Sequence, residues 1–133
     1  MKRLITCLSA LFVLALSVSA QLPNGFGQNY VLSGTYDSYG NPVSDPGTAQ
    51  TASLLVVTTN FGFIQSSAIL TLNTMVGSSN LSYKYTGNQN GWCVYVCDMG
   101  VAGSSYLLVS SNGNIMRVEK AWSGGNFAEY VAE

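Results

Sequence analysis

Short segments in which apolar and polar residues alternate run through most of this chain, separated by turn-forming sequences. In residues 81–85, Leu81, Tyr83 and Tyr85 alternate with two polar residues. A period of two is typical of a β-strand with one buried face. Asn112-Gly113 lies between two such segments and is typical of a β-hairpin, because a type I′ turn needs positive φ at both central residues. No segment has the length of a helix that crosses over between parallel strands.

The pattern predicts seven or eight strands joined by short turns. We therefore expect an all-β fold, an antiparallel up-and-down β-barrel, in which closure removes the open sheet edges. A β-sandwich satisfies the same alternation and remains the alternative. The end of the chain predicts a short C-terminal helix, because Asn126 can cap, Glu129 follows three residues later, and Phe127, Tyr130 and Val131 form a stripe.

The first twenty residues are typical of a secretory signal peptide. Met1-Lys2-Arg3 is positive, residues 4–16 are almost entirely apolar, and Val18-Ser19-Ala20 offers small residues for cleavage after Ala20. The apolar run is short for a bilayer-spanning helix, which needs about 20 residues, so no stable membrane anchor is expected. The domains predicted are a signal peptide (1–20), an N-terminal arm (21–29) and a single β-barrel domain (30–133). The exported protein would act in the periplasm or outside the cell.

Charge is sparse in the predicted mature chain. Residues 21–133 carry three positive and six negative side chains, which gives a net charge of −3. No basic patch is present to bind phosphates, so nucleic acid is not an expected partner. No basic amphipathic helix is visible, so binding to a membrane surface is not expected either.

Catalytic chemistry has few candidates in this chain. It contains no histidine, which removes the usual general base and zinc ligand. Asp37 and Asp98 lie at predicted strand ends and could form a carboxylate pair, and Asp37, Asn41 and Asp45 carry oxygens that calcium could use. Acids in such positions more often build turns. We expect no enzyme activity, no cofactor and no metal.

Two cysteines, Cys93 and Cys97, remain after the predicted cleavage. Four residues along a strand separate their Cα atoms by roughly 13 Å, whereas a disulfide requires no more than about 7 Å. The spacing favours two buried thiols on one strand face. A bridge across a bulge or a disulfide between two chains stays open as an alternative.

Aromatic side chains are the main candidates for contacts with a bound ligand. Tyr30 and Tyr36 are expected to share the inward face of the first strand, as Tyr83 and Tyr85 share the face of another. A barrel of about eight strands can hold one small ligand, and tyrosine combines an apolar ring with a polar tip. The predicted ligand-binding residues are Tyr36, Tyr83, Tyr85, Trp92 and Trp122.

Three short places resemble lipocalins and their calycin relatives, which include avidins and fatty-acid-binding proteins. Gly34-Thr35-Tyr36 resembles the Gly-x-Trp opening of that group, the strand ending in Asp98 is similar to the one that carries its Thr-Asp-Tyr motif, and Arg117 could match the arginine that packs over the first-strand tryptophan. The chain departs from the pattern because Tyr36, Cys97 and Met99 replace the motif Trp, Thr and Tyr. The resemblance implies a barrel that holds a small apolar ligand.

Two functions are therefore expected. The first is an exported, non-catalytic protein that holds a small apolar or aromatic ligand inside a β-barrel. The alternative is a structural or adhesive surface protein that self-associates, because low charge and many Ser, Asn, Gly and Tyr residues suit a β-rich protein that packs against its own copies.

Overall fold

The chain folds into a closed barrel of eight antiparallel strands. The structure, a computed structural model, describes residues 21–121 and 123–133. Each strand is hydrogen-bonded to the next in sequence, and the last pairs with the first. Within the described residues, no helix is long and apolar enough to cross a membrane. The strands are β1 (Gly27–Tyr36), β2 (Thr51–Asn60), β3 (Ile64–Thr74), β4 (Gly77–Gln89), β5 (Trp92–Asp98), β6 (Ser104–Ser110), β7 (Ile115–Glu119) and β8 (Phe127–Ala132), and a 3₁₀ turn (Gly100–Ala102) joins β5 to β6.

Alternation along the strands separates the barrel interior from its outer surface. Cys93 and Tyr95 on β5 are fully buried, and so are their partners on β6, Val109 and Leu107. The intervening residues point outward, as the pleat requires. The prediction of an antiparallel up-and-down barrel is thus confirmed, and the sandwich alternative is not the fold.

The C-terminal segment is a strand, and the predicted helix is wrong. Residues Phe127–Ala132 pair with both β1 and β7. The same residues also carry a period of two, with Ala128 and Tyr130 buried and Glu129 outward. A six-residue helix would bond only to itself, whereas this strand satisfies backbone groups on both sides and closes the barrel.

The first strand contains an irregularity that changes the face of its second half. The register with β8 shifts between Leu32 and Gly34. Before the shift, Leu32 lies opposite Tyr130, whose side chain is inside; after it, Tyr36 lies opposite Phe127 on the outer surface. A one-residue shift moves every later side chain to the other face. Tyr36 is therefore outside the barrel, contrary to its predicted inward position.

One end of the barrel is plugged by the segment that precedes β1. This strand begins at Gly27, so the last residues of the predicted arm are part of the sheet. Leu22 is buried in the core, and Phe26 packs against it. The Phe26 ring lies where a Cβ atom on Gly113 would stand, 2.4 Å away. Gly113 has φ of 78°, so this position favours glycine for both conformation and space.

Candidate functional site: the open end of the barrel

The opposite end of the barrel contains a cavity of about 400 Å³. It lies among the ends of β3, β4, β6, β7 and β8 and beneath the loop that joins β1 to β2. Its walls are mainly aliphatic, and its deeper surface includes two tyrosines. The aliphatic residues and the two tyrosines that line the cavity are Leu72, Leu81, Tyr83, Val118, Ala128 and Tyr130.

The two tyrosines of the cavity are held by hydrogen bonds to the protein. The Ser105 hydroxyl donates to the carbonyl oxygen of Glu119 at 2.7 Å, so the Tyr83 hydroxyl donates to Ser105 Oγ at 2.8 Å. The Tyr130 hydroxyl donates to the carbonyl oxygen of Ala49 at 2.8 Å. These hydroxyl protons are already used within the protein. The cavity therefore offers a ligand mostly apolar contact.

Burial keeps these tyrosines in their neutral form. Desolvation raises the pKa of Tyr83, and it raises the pKa of Tyr130 to about 12, with a smaller contribution from the nearby charge of Asp45. Both hydroxyls remain protonated at any ordinary pH. No negative charge develops in the cavity, so its electrostatics suit an uncharged ligand.

The loop between β1 and β2 covers part of the cavity. Its residues Thr48 and Ala49 are buried. The Lys120 ammonium group at the end of β7 pairs with the Asp45 carboxylate and donates to Thr48 Oγ1 at 3.1 Å. The hydrogen bond from Lys120 lowers the pKa of Asp45. This ion pair fastens the loop over one side of the opening.

The candidate catalytic carboxylates act in their own turns. Asp37 Oδ1 accepts the backbone N–H groups of Tyr39 and Asn41, each at 2.9 Å, and the hydrogen bond from Asn41 lowers its pKa. Asp98 Oδ1 accepts the backbone N–H of Gly100 at 2.9 Å. These are the contacts of turn-building acids. Each carboxylate thus has a local structural role.

Tyr83 and Tyr85 both point into the barrel, but only Tyr83 lines the cavity. Tyr85 lies opposite Tyr95, nearer the plugged end, with their ring centroids 5.4 Å apart in an edge-to-face arrangement. The Tyr85 hydroxyl donates to Asn88 Oδ1. Tyr85 therefore contributes to the filled part of the interior.

The other predicted site residues do not join this cavity. Tyr36 stacks on Phe127 on the outer surface, with centroids 5.4 Å apart. Trp92 is also outside, since its neighbour Cys93 points inward. The Arg117 guanidinium lies 4.7 Å from the Trp92 ring centroid and 5.1 Å from that of Phe127, so its stacking partners are not on the first strand. Trp122 lies outside the described residues.

Cys93 and Cys97 do not form a disulfide bond with each other, and Cys97 is only partly buried. Cys93 is buried, and the backbone of Leu22 hydrogen-bonds its sulfur. Burial raises the pKa of the Cys93 thiol. A buried thiol with a raised pKa is a poor nucleophile, so Cys93 is part of the packing at the plugged end.

Sequence reasoning missed several residues of the cavity wall. Leu72 and Leu81 lay on predicted strand faces, and their alternation with polar residues was the available signal. Ala128 was placed in the supposed helix, so its inward position was missed. Lys120 carried no signal, because its partner Asp45 lies 75 residues away in sequence.

Comparisons of this chain with protein-family models, with curated proteins and with solved structures found no match.

Proposed function

We propose that this protein is a non-catalytic binding protein that holds a small, uncharged, apolar ligand at the open end of its barrel. The observation that carries this proposal is the aliphatic cavity of about 400 Å³ at one end, opposite an end plugged by Leu22 and Phe26. Ligand-binding cavities commonly measure about 300–1,000 Å³. This volume is near the lower limit, which favours a small ligand.

The polar groups of the cavity support an uncharged ligand. Lys120 is already paired with Asp45 at the rim, and the hydroxyls of Tyr83 and Tyr130 donate to protein oxygens. An ionised ligand would lose its hydration without gaining a dedicated partner, which is unfavourable in an apolar site. An apolar ligand gains about 25 cal/mol for each Å² of surface removed from water. Part of this gain offsets the costs of association.

A binding role also agrees with the chemistry available. The chain has no histidine, and Asp37 and Asp98 accept backbone hydrogen bonds in their turns. The N-terminal twenty residues support export, and determination of the N-terminus of the secreted chain tests this directly. A first residue other than Gln21 or its neighbours would contradict the proposed cleavage.

Fluorescence titration with N-phenyl-1-naphthylamine, a neutral apolar probe, tests the proposal. We expect saturable enhancement with one site per chain. Probe emission is preferable to tryptophan emission as the readout, because Trp92 lies on the outer surface.

A pair of variants on β8 assigns the signal to the cavity. Ala128→Phe places a ring in the cavity and should weaken probe binding at least about tenfold by removing the space. Val131→Phe is the matched control, because Val131 is exposed on the same strand. The proposal fails if the wild-type protein shows no saturable binding, or if both variants bind the probe like the wild type while remaining folded.

A further inference from the structure

The hairpin of β2 and β3 carries most of the exposed large apolar side chains of the described residues. Seven of the twelve belong to it or to its two ends, so exposure of this kind is concentrated rather than scattered. Concentrated apolar exposure marks an interaction surface. We call the outer surface of this hairpin, with its two turns, the hairpin wall; it consists of Leu55, Phe61, Phe63, Ile69, Met75 and Val76, whereas Ile64 has the parity of the inward residues of β3.

The hairpin wall lies in a long stretch without charge. No Asp, Glu, Lys or Arg occurs between residues 46 and 83. The first charge beyond it is Lys84 on β4, which lies opposite Ser67 of β3. The remaining charges of the described chain lie in the loop after β1 and from β4 onward. The molecule thus has one uncharged side and one charged side.

We propose that a second copy of this chain binds to the hairpin wall and that the two copies form a symmetric dimer. Residues 21–133 have a net charge of −3, so two copies repel each other across most orientations. Contact through the hairpin wall keeps their charged sides apart. It also buries the largest group of exposed apolar side chains, and this burial is the favourable contribution to dimerisation.

The layout of the hairpin wall suits a two-fold axis. Leu55 and Ile69 are directly paired, and each lies at the middle of its strand. The Phe61–Ile64 turn lies at one end of the hairpin, and Met75 and Val76 lie at the other. A two-fold axis that lies in the interface over this pair and runs across the strands places the phenylalanine turn of one copy against the Met75-Val76 turn of its partner, and the reverse. Such a surface is self-complementary, as an isologous interface requires.

The area suits a weak dimer. The hairpin wall is two strands wide, and 13 residues lie from Phe63 to Met75. Strands about 4.8 Å apart, at about 3.4 Å a residue, then give roughly 400 Å² per copy and roughly 850 Å² in total. This total lies in the range of weak, transient interfaces, so we expect dissociation at high micromolar concentrations.

A second copy fits the hairpin wall better than a lipid surface does. Polar pairs lie beside the apolar residues: Thr71 donates to Asn80 at 2.9 Å, and Asn73 donates to Thr51 at 3.2 Å. Burying such groups in hydrocarbon is costly. A protein interface accepts them, because polar pairs and trapped water are normal there.

Analytical ultracentrifugation of the purified protein over a wide concentration range tests the proposal. The wild-type mass should rise from that of one chain to that of two. Ile69→Lys places two like charges near the axis and should raise the dimer dissociation constant at least about tenfold. Val131→Lys is the matched control, because Val131 is 37% exposed and Ile69 38%; it should dimerise like the wild type. Phe63→Lys, at an exposed turn, should weaken the dimer without disturbing a strand.

Several results would overturn the proposal. A wild-type protein that stays monomeric at millimolar concentration contradicts it. So does a dimer that Val131→Lys dissociates while Ile69→Lys and Phe63→Lys do not. Sedimentation with phosphatidylcholine vesicles tests the alternative, a lipid surface. If the wild-type protein binds the vesicles and Ile69→Lys abolishes this binding, the hairpin wall binds lipid rather than a second copy. Far-ultraviolet circular dichroism confirms that each variant is folded.

Discussion

The same eight strands run through both ends of this barrel, but the two ends differ in how completely protein segments fill the interior. At the plugged end, the segment before β1 turns inward, Leu22 enters the core, and the Tyr30 hydroxyl donates to the carbonyl oxygen of Gly113 at 2.7 Å. At the open end, the covering loop reaches only as far as Thr48 and Ala49. A barrel interior is thus filled or left open according to which segments can reach into it.

Side-chain size reinforces this difference. Toward the plugged end, the interior holds Tyr30, Tyr85 and Tyr95, which are large and aromatic. Toward the open end, small residues such as Ala128 and Ser105 line the space together with Tyr83 and Tyr130. An eight-stranded barrel has about enough interior volume for its own side chains. The small residues beside Tyr83 and Tyr130 therefore leave a cavity, whereas the larger side chains toward the plugged end fill the interior.

High pH should produce the largest change, because it acts on both ends together. Burial raises the pKa of Tyr30 and of Tyr130 to about 12 and also raises the pKa values of Tyr83 and Tyr95. Unfolded tyrosines release their protons near pH 10, so the folded state then binds more protons than the unfolded state. Its stability is full below about pH 10 and falls by about 1.4 kcal/mol per pH unit for each such tyrosine as pH rises further.

Urea unfolding at a series of pH values from neutral to strongly alkaline measures this fall. Tyr30→Phe and Tyr130→Phe should each make the fall of the free energy of unfolding less steep, by about 1.4 kcal/mol per pH unit. A free energy of unfolding that stays constant well above pH 10 would show that these hydroxyls are not buried.

Leucine truncation compares the two ends directly. Leu22→Ala at the plugged end should lower the free energy of unfolding by about 2–4 kcal/mol, because a buried leucine leaves a cavity behind. Leu72→Ala at the open end should cost only about 1 kcal/mol, because Leu72 is half-buried beside an existing cavity. Urea unfolding of both variants measures the difference. Equal losses would mean that the ends are equally well packed.

Removal of single hydroxyl groups should change the stability of the fold in opposite directions at two interior tyrosines. Tyr83→Phe should destabilise the fold by about 1 kcal/mol, because Ser105 loses its partner. Tyr95→Phe should stabilise it by about 1 kcal/mol, because the buried Tyr95 hydroxyl has no hydrogen-bond partner in the described structure. Thermal unfolding of the two variants is the measurement, and a loss at Tyr95 as large as that at Tyr83 would contradict the assignment.

The smallest effect is expected at the rim. Asp45→Asn should change the free energy of unfolding at neutral pH by less than about 1 kcal/mol, because both groups of the ion pair are partly exposed. The hydrogen bond from Lys120 lowers the pKa of Asp45 below its ordinary value of 3.8. The ion pair therefore contributes its full stabilisation at pH values above 3.8, and this stabilisation is lost as the pH falls through the lowered pKa of Asp45. The free energies of unfolding of the wild type and the variant should converge in strong acid. A difference that persists there would show that the ion pair is not its cause.

The sequence predicted the barrel because alternation and turns are local signals. Tyr83 was placed on the inward face for the same reason, and the structure agrees. Tyr36 was misplaced because one irregular position near Ser33 reverses the face of the residues that follow. Nothing in the local pattern shows where such a shift occurs.

The remaining differences come from long-range packing. The last segment carries both a helical and a strand pattern, and pairing with β1 and β7 decides between them. The position of the cavity depends on which residues of different strands share a layer, such as Ser105, Val118 and Ala128. That information lies in the register between strands, which alternation along one strand does not contain.

Methyl and amide NMR during titration with N-phenyl-1-naphthylamine tests the central claim most directly. The account predicts that shifts cluster at Leu72, Leu81, Val118 and Ala128, with little change at Leu22 and Val56 of the plugged end. An absence of shifts at saturating probe, or a cluster around Leu22 and Val56, would contradict it.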